Sequence, residues 1–326
     1  MEEVVVSIIC LTYNHEKYIA DALDSFIMQK ACFKYEVLVH DDASTDNTRE
    51  IIENYAERYP DVIKPYFQTE NQYSKGNKRL ILLNWERAKG KYIALCEGDD
   101  YWLDNEKLQK QVDYLENNPL CSLCVHATKR VSVDKLDMKQ DIRPFHKGCI
   151  VPMENLIVYD DYGYIHTSSM IFPARLIDDL PEFYFNAPVG DYPLTIFLGL
   201  KGQVYYIDEF MSAYRNNTPG SWTDRILMNK DNFIQHNNQI INMLDEVNSF
   251  SNYNYDNAVK KAKKLVNFRI LLSEGRFKEA LGEDYLEFFN QLKPKYRYII
   301  GIKGRYPIVT KIALKLKKTR KALENK

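Results

Sequence analysis

Glycine-rich phosphate loops are missing from this sequence. Neither G-x-G-x-x-G nor G-x-x-x-x-G-K-[ST] occurs, and 326 residues hold only 13 glycines. That excludes a dinucleotide fold of the usual kind and a P-loop, which both hold phosphate on backbone amides. Long apolar runs are missing too: no stretch approaches the roughly 20 residues that span a bilayer. The run from Val4 to Leu11 is short and follows two glutamates, with no basic flank or cleavage site, so no signal peptide is expected. Cysteine is sparse. Cys10, Cys32, Cys96, Cys121, Cys124 and Cys149 are scattered, several inside apolar runs, which fits reduced cytoplasmic thiols rather than a disulfide framework. Cys121-Ser-Leu-Cys124 has half of a zinc spacing but no second pair, and reads better as core strand.

Overall charge is also small, at −1, but it is unevenly spread. Pro294 to Lys326 holds eleven Lys/Arg against Glu324 alone, which leaves residues 1–293 at −11. A basic tail on an acidic body suggests an anionic surface as partner; a solvated helix face gives the same pattern.

What is present begins with alternation. Val4–Cys10, Tyr35–His40, Ile63–Phe67 and Tyr92–Cys96 are short β-branched or apolar runs read as strands. Between and after them, helices are expected over Glu16–Gln29, Thr48–Tyr59, Asn77–Ala88 and Asn105–Glu116, with Gly90 as a left-handed stop after the third. Such alternation predicts an α/β fold with a mainly parallel sheet. Ligands then lie off the carboxyl ends of the strands. Acids collect there: Asp41 and Asp42 after the second strand, then Glu97, Asp99 and Asp100 after the fourth. Three carboxylates within four residues repel one another unless a cation lies between them. Hard cations such as Mg²⁺ or Mn²⁺ take oxygen ligands, often one or two from protein with a diphosphate supplying more. Helix capping is the competing role. It suits Ser44 to Asp46 and Asp104, but does not account for Asp99 and Asp100. Asp42, at its strand end, is placed to accept a hydrogen bond from a base or ribose.

Three segments, VSIICLTYNHEKYIADALDSFIMQ (Val6–Gln29), YEVLVHDDASTDNT (Tyr35–Thr48) and AKGKYIALCEGDDYW (Ala88–Trp102), closely resemble the family-2 glycosyltransferases of GT-A fold in order and spacing. The resemblance covers about the first 120 residues. It implies that Leu11, Tyr13 and Asp42 hold a nucleotide, with Asp41 beside them. It assigns Glu97-Gly98-Asp99-Asp100 to the metal-associated element: Asp100 the ligand of Mn²⁺ or Mg²⁺, Asp99 facing the donor's ribose or sugar. Glu97 stands where the family usually has Asp. A catalytic base at a helix start is implied as well, and Asp191 is the candidate, although Gly190 replaces the usual Glu and an N-cap role with Pro193 in the first turn is the alternative. Arg215, in a segment resembling the loop over the diphosphate, suits phosphate. His166 could touch substrate or be structural, Trp222 could stack on a sugar or pack, and Lys75 is a further phosphate candidate.

The reading is therefore a GT-A domain over 1–222, its nucleotide half about 1–120 and acceptor half about 121–222, followed by a helical extension over 223–326. Helices are expected there over Arg225–Val247, Tyr255–Ser273 and Arg276–Gln291. The implied function is inverting transfer from a UDP-, dTDP- or GDP-sugar to an acceptor hydroxyl in surface-polysaccharide, capsule or O-antigen synthesis. The alternative is a sugar- or nucleotide-binding relative without catalysis in a glycan assembly complex. The expected location is cytoplasmic and nucleic acid is not an expected partner. In the tail, Ile308, Ile312 and Leu316 form a stripe flanked by lysines, which suits a membrane surface, a partner protein or solvent, and peripheral membrane contact would suit a lipid-linked saccharide acceptor.

Overall fold

The computed structural model describes residues 3–75, 80–158, 165–216, 218 and 229–305. The chain divides into two compact units, Met1–Ser221 and Trp222–Lys326.

In the first unit, β1 (Val4–Thr12), β2 (Lys34–Asp41), β3 (Ile63–Phe67) and β4 (Tyr92–Leu95) form the expected strands. β1 lies between β2 and β4, and β2 between β1 and β3, all parallel. Parallel register brings Thr12 level with Asp41, so both strands deliver their loops to one edge. The intervening helices are α1 (Ile19–Ile27), α2 (Thr48–Arg58) and α3 (Leu80–Arg87), and α4 (Lys107–Asn117) follows β4 and the short β5 (Tyr101–Trp102). On α1, Ile19, Ala22, Leu23 and Phe26 recur at helical spacing and are all buried. Each large side chain so buried stabilises the fold by about 1.5–3 kcal/mol before conformational entropy is counted. Cys10 and Cys96 belong to the same apolar cluster, and none of the six thiols is paired.

Gly90 does not form the left-handed stop expected of it; Gly275 is the glycine with positive φ among the described residues. Its constraint is space. A Cβ on Gly90 would come within 2.7 Å of Val6 C and 2.8 Å of Tyr92 O, so the chain can enter β4 beside β1 only without a side chain.

Beyond β4 the sheet becomes mixed. Among the described residues it has nine strands, in the order β3-β2-β1-β4-β8-β6-β9-β5, with β7 also on β9. These are β6 (Cys121–Val131), β7 (Cys149–Val151), β8 (Ile171–Pro173) and β9 (Gln203–Arg215). Cys121 and Cys124 are buried residues of β6, as core strand requires. The chain reaches β8 through a 3₁₀ turn at Thr167–Ser169 and leaves it through a second 3₁₀ turn at Ala174–Ile177. Helices α5 (Met153–Ile157), α6 (Glu182–Asn186) and α7 (Asp191–Lys201) complete the unit. α7 is buried nearly all round from Tyr192 to Leu198, with Pro193 in its first turn, where a missing N–H costs nothing.

The second unit is helical: α8 (Lys230–Phe250), α9 (Asp256–Glu274), α10 (Phe277–Ala280), α11 (Leu286–Gln291) and α12 (Pro294–Arg305). Asn229 caps α8 by accepting from the N–H groups of Asp231 and Asn232, and Gly275 ends α9 at φ 75°. The single helix expected over Arg276–Gln291 is interrupted. α10 stops at Ala280, Gly282 is extended, and a 3₁₀ turn at Glu283–Tyr285 restarts the chain. The stripe Ile308–Leu316 lies outside the described residues.

Candidate active site

Two loops clasp each other at the carboxyl edge of the sheet. Asn14 after β1 and Ala43 after β2 both have positive φ, at 56° and 61°. Asn14 accepts the N–H of Thr45 at 2.8 Å and gives its own N–H to Ser44 Oγ at 2.8 Å. Asp46 accepts from the N–H groups of Thr48 and Glu16, at 3.0 and 3.1 Å, so it caps α2 and joins the loops together. Leu11 and Tyr13 stand on this edge, Leu11 half-buried and Tyr13 exposed.

Asp41 and Asp42 are both buried here, and each carboxylate already serves the backbone. Asp41 accepts from Ser44 N–H at 3.1 Å and from the Ser44 hydroxyl. Burial pushes its carboxyl up from the ordinary range, and the Ser44 bonds pull partly the other way. Asp42 accepts the N–H groups of Gln72 and Tyr73 at 2.8 and 3.0 Å and so fixes the turn after β3. The side chain read as a partner for base or ribose therefore holds the segment that would flank one. Lys75 ends the same turn, exposed and paired with Glu70. Such an exposed pair stabilises little.

β4 leads into the acidic loop. Gly98 N–H donates to Leu11 O at 2.9 Å, which seats the loop against the end of β1. A Cβ on Gly98 would lie 2.7 Å from Thr12 Oγ1 and 2.8 Å from Thr12 Cβ. Glu97 and Asp99 are half-buried, and Asp100 is buried. Burial raises Glu97 to about 8, with further contributions from Asp99 and then Asp191. Asp191, first residue of α7, therefore stands close enough for its charge to act on Glu97, although it is remote in sequence. Its Oδ1 accepts Tyr192 N–H at 2.8 Å, and its carbonyl accepts the Thr195 hydroxyl at 2.8 Å.

Asp100 is pushed well up from the carboxylate range by burial, then by Asp99 and Glu97; Arg215 opposes this. Its Oδ1 accepts the Arg215 N–H at 2.9 Å, and its Oδ2 lies 3.6 Å from His166 Nε2. His166 is itself buried. Its Nδ1 faces Ser168 N–H at 3.2 Å and the Ser168 hydroxyl at 2.8 Å, and its Nε2 faces Asp100. Burial, then Arg130, lowers the ring to about 3, so the contact with Asp100 is that of a neutral imidazole and not an ion pair. The Ser168 hydroxyl links Nδ1 to Ser212 Oγ, and Ser212 links to Thr128, each at 2.8–2.9 Å.

Arg215 is placed differently from a phosphate ligand. Its guanidinium is 1% exposed and caged between the rings of Tyr18 and Tyr101, 4.9 and 5.0 Å away. Nη1 donates to Asp99 O and Nη2 to Asp21 Oδ2, each at 2.5 Å. It braces the acidic loop through Asp99 O and Asp100, with its side chain buried. Asp21, which also binds Lys135 at 2.6 Å, is a site residue that sequence reasoning missed; nothing in its spacing separates it from the other acid of α1, Asp24. Thr218 was missed as well: its hydroxyl donates to Asp99 Oδ2 at 3.1 Å. Trp222 lies outside the described residues.

Below the loop, Trp102 is buried with Phe26 edge-on at 4.8 Å and donates from Nε1 to Ser168 O at 3.0 Å. Lys107 of α4 is fully buried with Nζ 4.1 Å over the Trp102 ring, and donates to Gln111 Oε1 at 2.7 Å. Burial lowers it to about 7.

The edge thus presents clustered carboxyl oxygens, and the cation that reaches this loop, Arg215, is buried. The buried Thr12 hydroxyl beside Gly98 has no hydrogen-bond partner among the described residues. Oxygen donors, excess negative charge and an orphaned hydroxyl fit a hard divalent cation. No three His, Cys, Asp or Glu among the described residues form a preformed ligand set.

The α/β sheet with an acidic loop off its carboxyl edge suits a GT-A architecture, and comparison with known proteins is more specific. The profile of glycosyl transferase family 2 matches residues 7–178, and the chain belongs to that family. An uncharacterized Mycobacterium tuberculosis protein is 35% identical over 225 residues, 68% of this chain and 62% of its own length. The chain thus spans less than two thirds of that relative. A Bacillus subtilis protein named, provisionally, as a teichuronic acid biosynthesis glycosyltransferase is 31% identical over 157 residues, 48% of this chain and 56% of its own. Among solved structures, Staphylococcus aureus TarS in complex with UDP-GlcNAc aligns with a TM-score of 0.56 at 18% identity, covering 92% of this chain and 87% of that one. A Pyrobaculum calidifontis mannosyltransferase in complex with GDP-Man and Mn²⁺ aligns with a TM-score of 0.54 at 18% identity, covering 93% and 87%. At that identity the likeness is one of fold.

Proposed function

We propose that the chain is an inverting glycosyltransferase that moves a sugar from a nucleoside-diphosphate donor to an acceptor hydroxyl in the assembly of a surface polysaccharide. What supports this reading is that Asp191, at the start of α7, acts electrostatically on Glu97 of the acidic loop. A carboxylate from a helix start and an acidic loop from a strand end supply the two halves of a displacement. Asp191 takes the proton from the attacking hydroxyl. The acidic loop receives the diphosphate through Asp100, which would hold Mn²⁺ or Mg²⁺, while Asp99 faces the donor's ribose or sugar. When bound, that cation stabilises the charge that grows on the leaving diphosphate. Asp100 stays aligned because Arg215 N–H and His166 flank its two oxygens. Arg215 keeps the loop in place and adds positive potential. The clasped loops of Leu11–Asn14 and Asp41–Thr45, with the turn held by Asp42, form the nucleotide's side of the cleft.

The donor is a UDP-, dTDP- or GDP-sugar, a class supported by the UDP-GlcNAc and GDP-Man complexes of the two structural neighbours. The unpaired thiols suit a reducing cytoplasm. Thermal shift against nucleoside diphosphates and their sugars, with and without Mn²⁺, tests the reading. One nucleotide should raise the melting temperature only with metal, and the shift should vanish in Asp100→Ala. A protein that no nucleotide stabilises, with metal or without, would sink it. A glycan-assembly protein that binds without catalysis would show the shift and no transfer.

A further inference from the structure

We infer that α12 is an interfacial helix that docks the C-terminal unit on an anionic lipid bilayer. The inner face of this helix is fixed. Ile300 and Gly304 are buried, and a Cβ on Gly304 would run into Leu281 Cδ1 and come within 3.0 Å of Phe277 O. Gly304 lets α12 approach closely, and the burial of Ile300 and Gly304 sets its rotation. The side turned outward then follows from 100° per residue. Ile302, Lys295, Tyr298, Ile299 and Arg305 lie within about 60° of its centre, Ile302 half-buried and the other four exposed. Tyr298 is 72% exposed and Ile299 37%, and Tyr296, nearer the packed side, is 53% exposed.

Large apolar side chains with this exposure on one helix are left uncovered by the described residues of their unit. Their neighbours name the chemistry of what would cover them. No acid occurs from Pro294 to Arg305, while Lys295, Arg297, Lys303 and Arg305 are all cationic. Seven more Lys/Arg follow before the end of the sequence, against Glu324 alone. Tyrosine and isoleucine between lysines and arginines suit the boundary of headgroup and acyl chain: the aromatic body enters, its hydroxyl stays wet, and the cations meet lipid phosphates. A protein partner large enough to hold these side chains would need an acidic rim around an apolar groove. A bilayer with anionic headgroups supplies both features over any area. The inference is independent of the proposed activity.

Flotation of the full chain with phosphatidylcholine vesicles, alone or with added phosphatidylglycerol, is the test. The protein should float with the anionic vesicles and not with the neutral ones, and should be released as salt rises. Lys295→Gln and Arg305→Gln should each weaken binding about fivefold, the worth of one basic side chain near such a surface. Tyr298→Ser with Ile299→Ser should weaken it at least as much. Both positions are exposed, so the melting temperature should not change. Failure of the wild type to float with anionic vesicles would overturn the inference, and so would equal flotation with neutral ones. Flotation untouched by any of these variants would overturn it too, because binding would then lie elsewhere. Retention on an oligonucleotide instead of vesicles would point to phosphate in another setting and reject the bilayer.

Discussion

Gly98 shows how little room a single residue has at this site. A methyl group there would press on Thr12 and Ile19, so Gly98→Ala should cost about 1–3 kcal/mol, read as a lower melting temperature, and should misplace the acids on either side. Asp191→Asn tests chemistry instead of packing. Turnover should fall by about 10²–10⁴, the usual worth of a general base, while the metal-dependent thermal shift with nucleotide is retained. Loss of both together would make Asp191 a binding or folding residue. Arg215→Lys keeps the charge and loses the fork that reaches Asp99 O and Asp21 at once. It should weaken nucleotide binding severalfold with a smaller effect on melting in the absence of ligand. The acids at the strand ends were legible in the sequence because carboxylates crowded behind an apolar strand repel one another and call for a cation. The places of Arg215 and His166 were not. A cation that braces a loop and one that faces a ligand use the same residue type, and only burial separates them.

At the scale of elements, α4 carries a test of its own. Lys107 is buried over Trp102 with its side chain lowered to about 7 from an ordinary 10.5. The indole face favours the cation and works against burial, which is the larger effect. Between these two values the unfolded chain binds more protons than the folded one, so this group's contribution to stability grows as pH rises from about 7 toward 10.5 and is lost as pH falls back. Thermal melts of wild type and Lys107→Met across that window should show the gap in favour of the variant narrowing with rising pH. A constant gap would mean that Lys107 titrates as it does in water. The elements of the first half were readable because β-branched runs and helical spacing alternate without overlap. β3 spans Ile63–Phe67, as read, and α2 begins at Thr48, as read. The start of α1 shifts by a turn, to Ile19 and not near Glu16, because residues 15–18 form a turn in which Tyr18 and Ile19 N–H both donate to His15 O. The break at Gly282 was not legible, because apolar spacing runs on across it and the interruption depends on how the flanking turns pack.

Across the whole molecule, two compact units imply that unfolding need not be all-or-none. Differential scanning calorimetry with and without the stabilising nucleotide and metal should move one transition, that of the unit bearing the acidic loop, and leave the other in place. A single transition that moves as a whole would mean that the units unfold together. The uneven charge belongs to this scale as well: a body at −11 with a tail at +10 is nearly neutral in sum, so its salt response should differ from that of a protein whose charges are mixed.

The outer strand β3 has a consequence for how copies of this protein behave in crowded solution. Its sequence is Ile-Lys-Pro-Tyr-Phe, with Lys64 and Pro65 in the middle, and among the described residues it pairs with β2 on one side only. A fresh strand seeking to join that border would meet a residue with no N–H to give and a charged neighbour beside it. At the far border the described residues offer β5 and β7 on β9, of two and three residues, too short to template a long pairing. Both margins of the described sheet are therefore poor templates for a neighbouring molecule.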